Sequence, residues 1–331
     1  MKKILYLALI VSISTFLFSS MVLSKDAEVV LKAGLIDPPS HIDTLAIKRV
    51  ADIVSEKTNG KVKIEVYPAS QLGFATDLLQ GMQLGTIEMF VGAVTWLGAF
   101  ETDYWIPGTL YLFDNQQECR EIHNGPYFDK LAETMRKKHG IRVLTQDWDR
   151  GARNFIATKP IKNIADLDGL KIRVPEQKSW IENFKMAGAN PTPIALAETF
   201  TGLQQGIVSA TEQASHWLFF NKYHTVADNL TLTNHNYEET GVFISERVYN
   251  SLDPEIQKII TETVKEVTEW HNIMLEAEIK AAEEKMNKEG VNIIEVNQVK
   301  WRSHFRSIIP ELAKKVGYSE DLLKHIMEYW D

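Results

Sequence analysis

The sequence predicts a two-lobed α/β protein. Three observations carry that reading. Strand-like apolar runs alternate with amphipathic helical stretches from residue 29 onward, the same rhythm restarts at residue 141, and one unbroken helical stretch is too long for a single lobe. Alternation of this kind implies parallel sheets covered by helices on both faces.

Residues 1–24 stand apart. Lys2 and Lys3 precede an apolar run over residues 4–18, followed by small and polar residues up to Ser24. A basic start, an apolar core of roughly 15 residues and small residues at Val22 and Ser24 describe a secretory signal peptide. A membrane anchor would need about 20 continuous apolar residues, and Ser12, Ser14, Ser19 and Ser20 interrupt this run. Export to the periplasm is expected, leaving a chain of about 307 residues, enough for two packed lobes.

In the first lobe, residues 29–34 read as a strand. Residues 44–58 carry Leu45, Val50, Ile53 and Val54 at helical spacing and stop at Asn59-Gly60. Val62-Lys63-Ile64-Glu65-Val66-Tyr67 alternates with period two, as a half-buried strand does. A helix over 76–84 and a strand over 89–94 follow. Further strands are expected at 141–146, 153–158, 170–174 and 190–194, with helices at 180–187 and 196–205 and a change of lobe near 149–152. At 254–289, Asp253 suits the N-cap, Pro254 the first helical position and Gly290 the stop. Those 36 residues would span ~54 Å as one helix, a strut across both lobes.

Loss of Lys2 and Lys3 takes the formal net charge from −8 to −10, because residues 1–24 hold no acids. So acidic a chain is a poor nucleic-acid or anionic-membrane binder. Cys119 is the single cysteine, so no internal disulfide is possible, and no Cys/His spacing suggests a metal; no cofactor is expected. There is no Gly-x-Ser-x-Gly elbow, phosphate-binding glycine loop or His-Glu-x-x-His pair. The acid pairs Asp166/Asp168 and Glu238/Glu239 fall at turns and read as solvated charge. Nothing here supports catalysis.

A binding function finds better support. Leu170-Lys171-Ile172-Arg173-Val174-Pro175 reads as a strand with an arginine near its carboxyl end, where α/β folds bind ligands. A guanidinium offers a planar fork of donors matched to a carboxylate. A surface arginine on an edge strand is the alternative, and periodicity alone does not choose. Arg153 opens another strand; Glu212 and Gln213 follow the apolar turn Ile207-Val208-Ser209-Ala210. Trp96, Trp148, Trp180 and Trp217 fall near loops or element ends, where they could wall a cleft or pack a core.

Taken in order, these segments resemble the extracytoplasmic binding proteins of tripartite ATP-independent periplasmic (TRAP) transporters, of the dicarboxylate-binding type. The resemblance covers essentially the whole exported chain. It rests on His41 and the helix after it, on Tyr67-Pro68-Ala69-Ser70-Gln71-Leu72-Gly73, and on Gly151-Ala152-Arg153 followed by Lys159-Pro160-Ile161. Ile164-Ala165-Asp166-Leu167-Asp168-Gly169 running into the Arg173 strand, Gly188-Ala189-Asn190-Pro191-Thr192-Pro193 and Thr233-Asn234-His235 complete it.

The resemblance implies a type II-like periplasmic binding fold with two crossings and a helix spanning both lobes. Lobe I would be 25–150 plus about 239–275, and lobe II 151–238 plus about 276–331. It implies that Arg173 forms the main salt bridge to a ligand carboxylate and Arg153 a second contact. Gln213, Glu212, His41, Gln71, Asn234, Trp96, Trp148 and Trp217 complete the expected ligand site. The implied partners are a small organic anion and the small and large membrane subunits of the transporter, with the receptor itself a monomer. Two departures leave the anion open. Val208-Ser209-Ala210 replaces the family's usual Val-Asp-Gly, and Gln213 stands where many relatives carry asparagine. A sugar acid, an aromatic acid or a sulfonate would each suit, and an exported enzyme or sensory receptor could share the fold.

Overall fold

The structure is a computed structural model that describes residues 27–328. The signal-peptide reading of residues 1–24 lies outside the described residues.

Lobe I begins with β1 (Val29–Leu35), α1 (Ile42–Lys57), β2 (Val62–Tyr67), α2 (Ala75–Leu84) and β3 (Met89–Ala93). Two short 3-10 turns, Val94–Ala99 and Thr102–Gly108, lead to α3 (Gln116–His123), α4 (Pro126–His139) and β4 (Ile141–Asp149). The chain then crosses into lobe II, which holds β5 (Arg153–Ala157), β6 (Lys171–Val174), α5 (Lys178–Met186) and β7 (Asn190–Pro193). It continues with α6 (Thr199–Gln204), β8 (Ala210–Ala214), α7 (Ser215–Phe220) and β9 (Asn229–Asn236). A second crossing returns to lobe I through β10 (Glu239–Ser245) and α8 (Glu246–Ser251), followed by α9 (Pro254–Lys288), β11 (Asn292–Glu295), α10 (Gln298–Val316) and α11 (Glu320–Met327).

The sheets run β2-β1-β3-β10-β4 in lobe I and β11-β9-β5-β8-β6-β7 in lobe II. They are mixed rather than purely parallel, which corrects the expectation from alternation. β10 is antiparallel to β3 and β4, and β5 to β8 and β9. The reversed strands are those that follow a crossing, and they enter their sheet from the other lobe. The crossings lie side by side, with Glu239 opposite Asp149 and Arg153 opposite Asn236. Gly151 turns the first crossing at φ +77°, and a Cβ there would lie 2.4 Å from Ile279 Cδ1 on α9. Only glycine meets both demands.

At 35 residues α9 is about 52 Å long. Pro254 occupies its first turn, while Asp253 makes no side-chain cap bond. Ile260, Val264 and Val267 pack into the lobe I core against α1, and Met286 joins the lobe II core beside Leu230. Midway, Asn272 accepts from the Asp149 amide (2.9 Å) and donates to Asp147 O (3.1 Å), fastening the helix to the first crossing.

The C-terminal segment departs from the sequence expectation. Trp301 and Phe305 on α10 pack in lobe II, but Ile309, Leu312 and Val316, with Leu322 and Ile326 of α11, enter the lobe I core. The end of the chain thus returns to lobe I instead of staying with residues 276–331 in lobe II. The apolar stripe of α10 is continuous, so no local signal marks the point where it changes core.

Candidate functional site

Between the lobes lies a cleft with two adjoining spaces, an inner one of about 60 Å³ and an outer one of about 560 Å³. Ile36, Trp96, Arg173, Pro175, Leu196 and Trp217 line both. Ile36 and Trp96 come from lobe I, the other four from lobe II, so both lobes must be in place to form the walls.

Three arginines line the inner space, and their surroundings separate them. Arg153 donates to Glu212 through Nε (2.5 Å) and Nη2 (2.7 Å), and to Glu238 through Nη1 (2.9 Å). Its guanidinium carbon lies 4.4 Å from the Trp180 ring centre. Burial opposes its charge, but the two carboxylates overcome that and hold its pKa above the ordinary value. Arg150 lies 3.4 Å from both Asp43 and Glu238. Arg173 differs: only 3% exposed, it donates Nε to Ile194 O (2.9 Å), and among the described residues no carboxylate lies within 4.0 Å of it. Burial lowers its pKa to about 10, so it stays cationic at neutral pH. A buried cation without a counter-ion is unfavourable unless an anion arrives to pair with it.

The structure brings Arg173, Arg153, Gln213, Trp96 and Trp217 to the cleft wall and sends the other expected site residues elsewhere. Glu212 precedes Gln213 on β8, so its side chain points to the opposite face; it is buried against Arg153 and His235. His41 caps α1, its Nδ1 accepting from the Asp43 amide (3.2 Å), and its ring lies 4.8 Å from that of Trp217. It backs the wall without lining it. Gln71 is exposed, whereas its neighbours Ala69 and Ser70 line the outer space. Asn234 is half-buried, and its backbone amide donates to Asn154 Oδ1 (2.9 Å). Trp148 is fully buried away from the cleft. It stacks on His271 at 4.9 Å and donates to Thr268 Oγ1 (3.1 Å), because its side of β4 faces α9.

Sequence reasoning missed Glu238 and Arg150. Glu238, read as solvated turn charge with Glu239, is 2% exposed; it accepts from Arg153 and from Thr95 Oγ1 (3.1 Å). Glu239 is also buried, against His123 (2.5 Å). Both sit at the second crossing, where the lobes cover what would be a surface turn in a one-lobed protein. The strand β10 that begins at Glu239 was not anticipated either, and nothing local tells a hinge from a loop.

The same burial collects other polar groups at the hinge. Asp37, His41 and Asp43 of lobe I meet His271 of α9, whose Nε2 is 2.8 Å from Asp43 Oδ1, and His216 of lobe II, whose Nε2 is 3.3 Å from His41 Nε2. Among the described residues neither oxygen of Asp37 has a hydrogen-bond partner. Burial and the neighbouring Asp43 raise its pKa to about 7, while burial lowers that of His41 to about 4.

Two α/β lobes, paired crossings and an uncompensated cation in the cleft between them define a solute-binding protein of the periplasmic, type II-like class. Residues 34–316 match bacterial extracellular solute-binding protein family 7, and the chain belongs to that family. The 2,3-diketo-L-gulonate-binding periplasmic protein of Escherichia coli is 26% identical over 331 residues, covering 99% of each chain. The sialic acid-binding periplasmic protein of Vibrio cholerae is 25% identical over 299 residues, covering 89% of this chain and 91% of the relative. A TRAP periplasmic solute-binding protein from Xanthobacter autotrophicus with bound β-D-galacturonate matches with a TM-score of 0.83 and 28% identity, over 90% of this chain and 98% of that one. One from Desulfovibrio salexigens with bound orotic acid gives a TM-score of 0.83 and 28% identity, over 90% and 97%.

Proposed function

We propose that this chain is the extracytoplasmic receptor of a TRAP transporter, which captures an organic acid in the interlobe cleft and hands it to the small and large membrane subunits. The carrying observation is Arg173, a buried guanidinium on the cleft wall without an ionic partner among the described residues. The acid ligands named for its relatives support the same chemistry. On this reading the carboxylate pairs with Arg173 near the inner space, with Gln213 within the same wall. Arg153 and Arg150, already neutralised by Glu212, Glu238 and Asp43, keep that region rigid and polar. Closure of the lobes about the crossings then excludes water and strengthens the pair.

The expected behaviour is stoichiometric binding by a monomer, with the ligand recovered unchanged. Titration calorimetry followed by mass analysis of the ligand tests it; conversion of the ligand to a product would replace the receptor with an enzyme. Uptake into vesicles carrying the membrane subunits separates a transport receptor from a sensory one.

A further inference from the structure

We infer that the ligand is a monocarboxylate with an apolar, ring-sized body, rather than a polyhydroxylated sugar acid or a dicarboxylate. The inference rests on the receptor reading and concerns the rest of the ligand, beyond the group that Arg173 holds.

The two spaces divide by chemistry. The inner one, with its three arginines, Glu238, Gln213 and Thr95, is polar and small at about 60 Å³, space for a few water molecules and room enough for a carboxylate. The body must therefore lie in the outer space. Its volume of about 560 Å³ falls within the range of pockets that hold drug-sized ligands. Its walls are mainly carbon, with Phe74 and Pro38 from lobe I, Ile194 and Leu196 from lobe II, and Trp96 and Trp217 between. Phe74 caps no group with its ring and stands 51% exposed at the start of α2. A large apolar side chain held open to solvent beside an apolar cavity marks a surface that a ligand can cover.

Polar groups in the outer space are few. Besides Arg173 they are Ser70, Thr76, the exposed Glu176, Asn221, which gives one Nδ2 hydrogen to Trp217 O (2.9 Å), and the indole N–H groups of Trp96 and Trp217. A sugar acid would leave most of its hydroxyls without partners against carbon, an unfavourable burial. A second carboxylate fares worse. Among the described residues Arg173 is the only cation lining this space, and Glu176 would repel a second negative charge. An apolar body instead gains about fourfold in affinity for each methylene it buries.

Calorimetry on the exported chain with 3-phenylpropionate, the straight-chain acids from butyrate to octanoate, galacturonate and succinate tests this. We expect affinity to climb about fourfold per methylene until the space is filled, and 3-phenylpropionate to bind at least tenfold tighter than galacturonate or succinate. Phe74→Ala and Leu196→Ser should each weaken 3-phenylpropionate several-fold. Tighter binding of galacturonate or succinate, abolished by Arg173→Ala, overturns the apolar body and leaves the receptor standing. If every acid binds weakly and equally with or without Arg173, the receptor reading itself falls.

Discussion

Replacing Arg173 by methionine should move binding and stability in opposite directions. The guanidinium is 3% exposed, donates Nε to Ile194 O, and has no carboxylate within 4.0 Å among the described residues. Burial lowers its pKa to about 10, which at 1.36 kcal/mol per pKa unit is on the order of 3 kcal/mol of unfavourable desolvation. Methionine fills similar space without charge and forgoes one hydrogen bond worth about 1 kcal/mol. The ligand-free variant should therefore be more stable, by about 1–3 kcal/mol. With ligand, removal strands a buried carboxylate at about 3–5 kcal/mol, so affinity should drop by about two to three and a half decades. Urea unfolding of the free protein and calorimetry with the bound acid measure the two halves. Because the folded pKa stays near 10, wild-type affinity should be flat between about pH 6 and 8. A loss of affinity below about threefold, or a free protein destabilised by about 2 kcal/mol or more, would refute the reasoning and make Arg173 a structural residue.

Glu238→Gln removes one of the carboxylates that neutralise Arg150 and Arg153. Anions should bind several-fold tighter, at a stability cost of up to about 3–5 kcal/mol, and calorimetry showing weaker binding would count against this charge balance. Gly151→Ala must place a Cβ 2.4 Å from Ile279 at positive φ, and should destabilise by about 1–3 kcal/mol; unchanged melting would show that the crossing and α9 yield easily. Asp37→Asn probes the hinge acid. The folded pKa of Asp37, about 7, lies above its unfolded value, so its contribution is full below about pH 4 and is lost as pH rises through 7. His41 acts oppositely: its pKa is lowered to about 4, so its contribution is present above about 6.5 and lost as pH falls through 4. The stability of Asp37→Asn relative to wild type should thus rise between pH 4.5 and 8, and a pH-independent difference in urea unfolding would remove the titration of Asp37 as its source.

Much of the fold was legible because its signals are local. The stop at Asn59-Gly60 matches the end of α1 at Lys57, and the alternation of residues 62–67 is β2 itself. The unbroken 254–289 stretch corresponds to α9, whose halves pack in different cores. What failed was non-local. Purely parallel sheets were expected because a strand's direction depends on which lobe the chain comes from, which no window reveals. Trp148 was expected in the cleft because an aromatic at a strand end looks the same whichever face it takes. Glu238 and Glu239 looked like solvated charge because burial between lobes leaves no mark in a short polar turn.

The sequence alone determined an α/β chain with a net negative charge, and it marked Arg173 and Arg153 as the arginines to watch. These are properties of periodicity, composition and motif order. Only the tertiary structure decided which arginine is available to an anion. Arg150, Arg153 and Arg173 carry the same charge, and all line one small space. Arg153 is neutralised by Glu212 and Glu238, 59 and 85 residues away, while no acid among the described residues pairs with Arg173. Side-chain charge is written in the sequence, but its compensation depends on distances of a few ångströms that the strand register and crossings set.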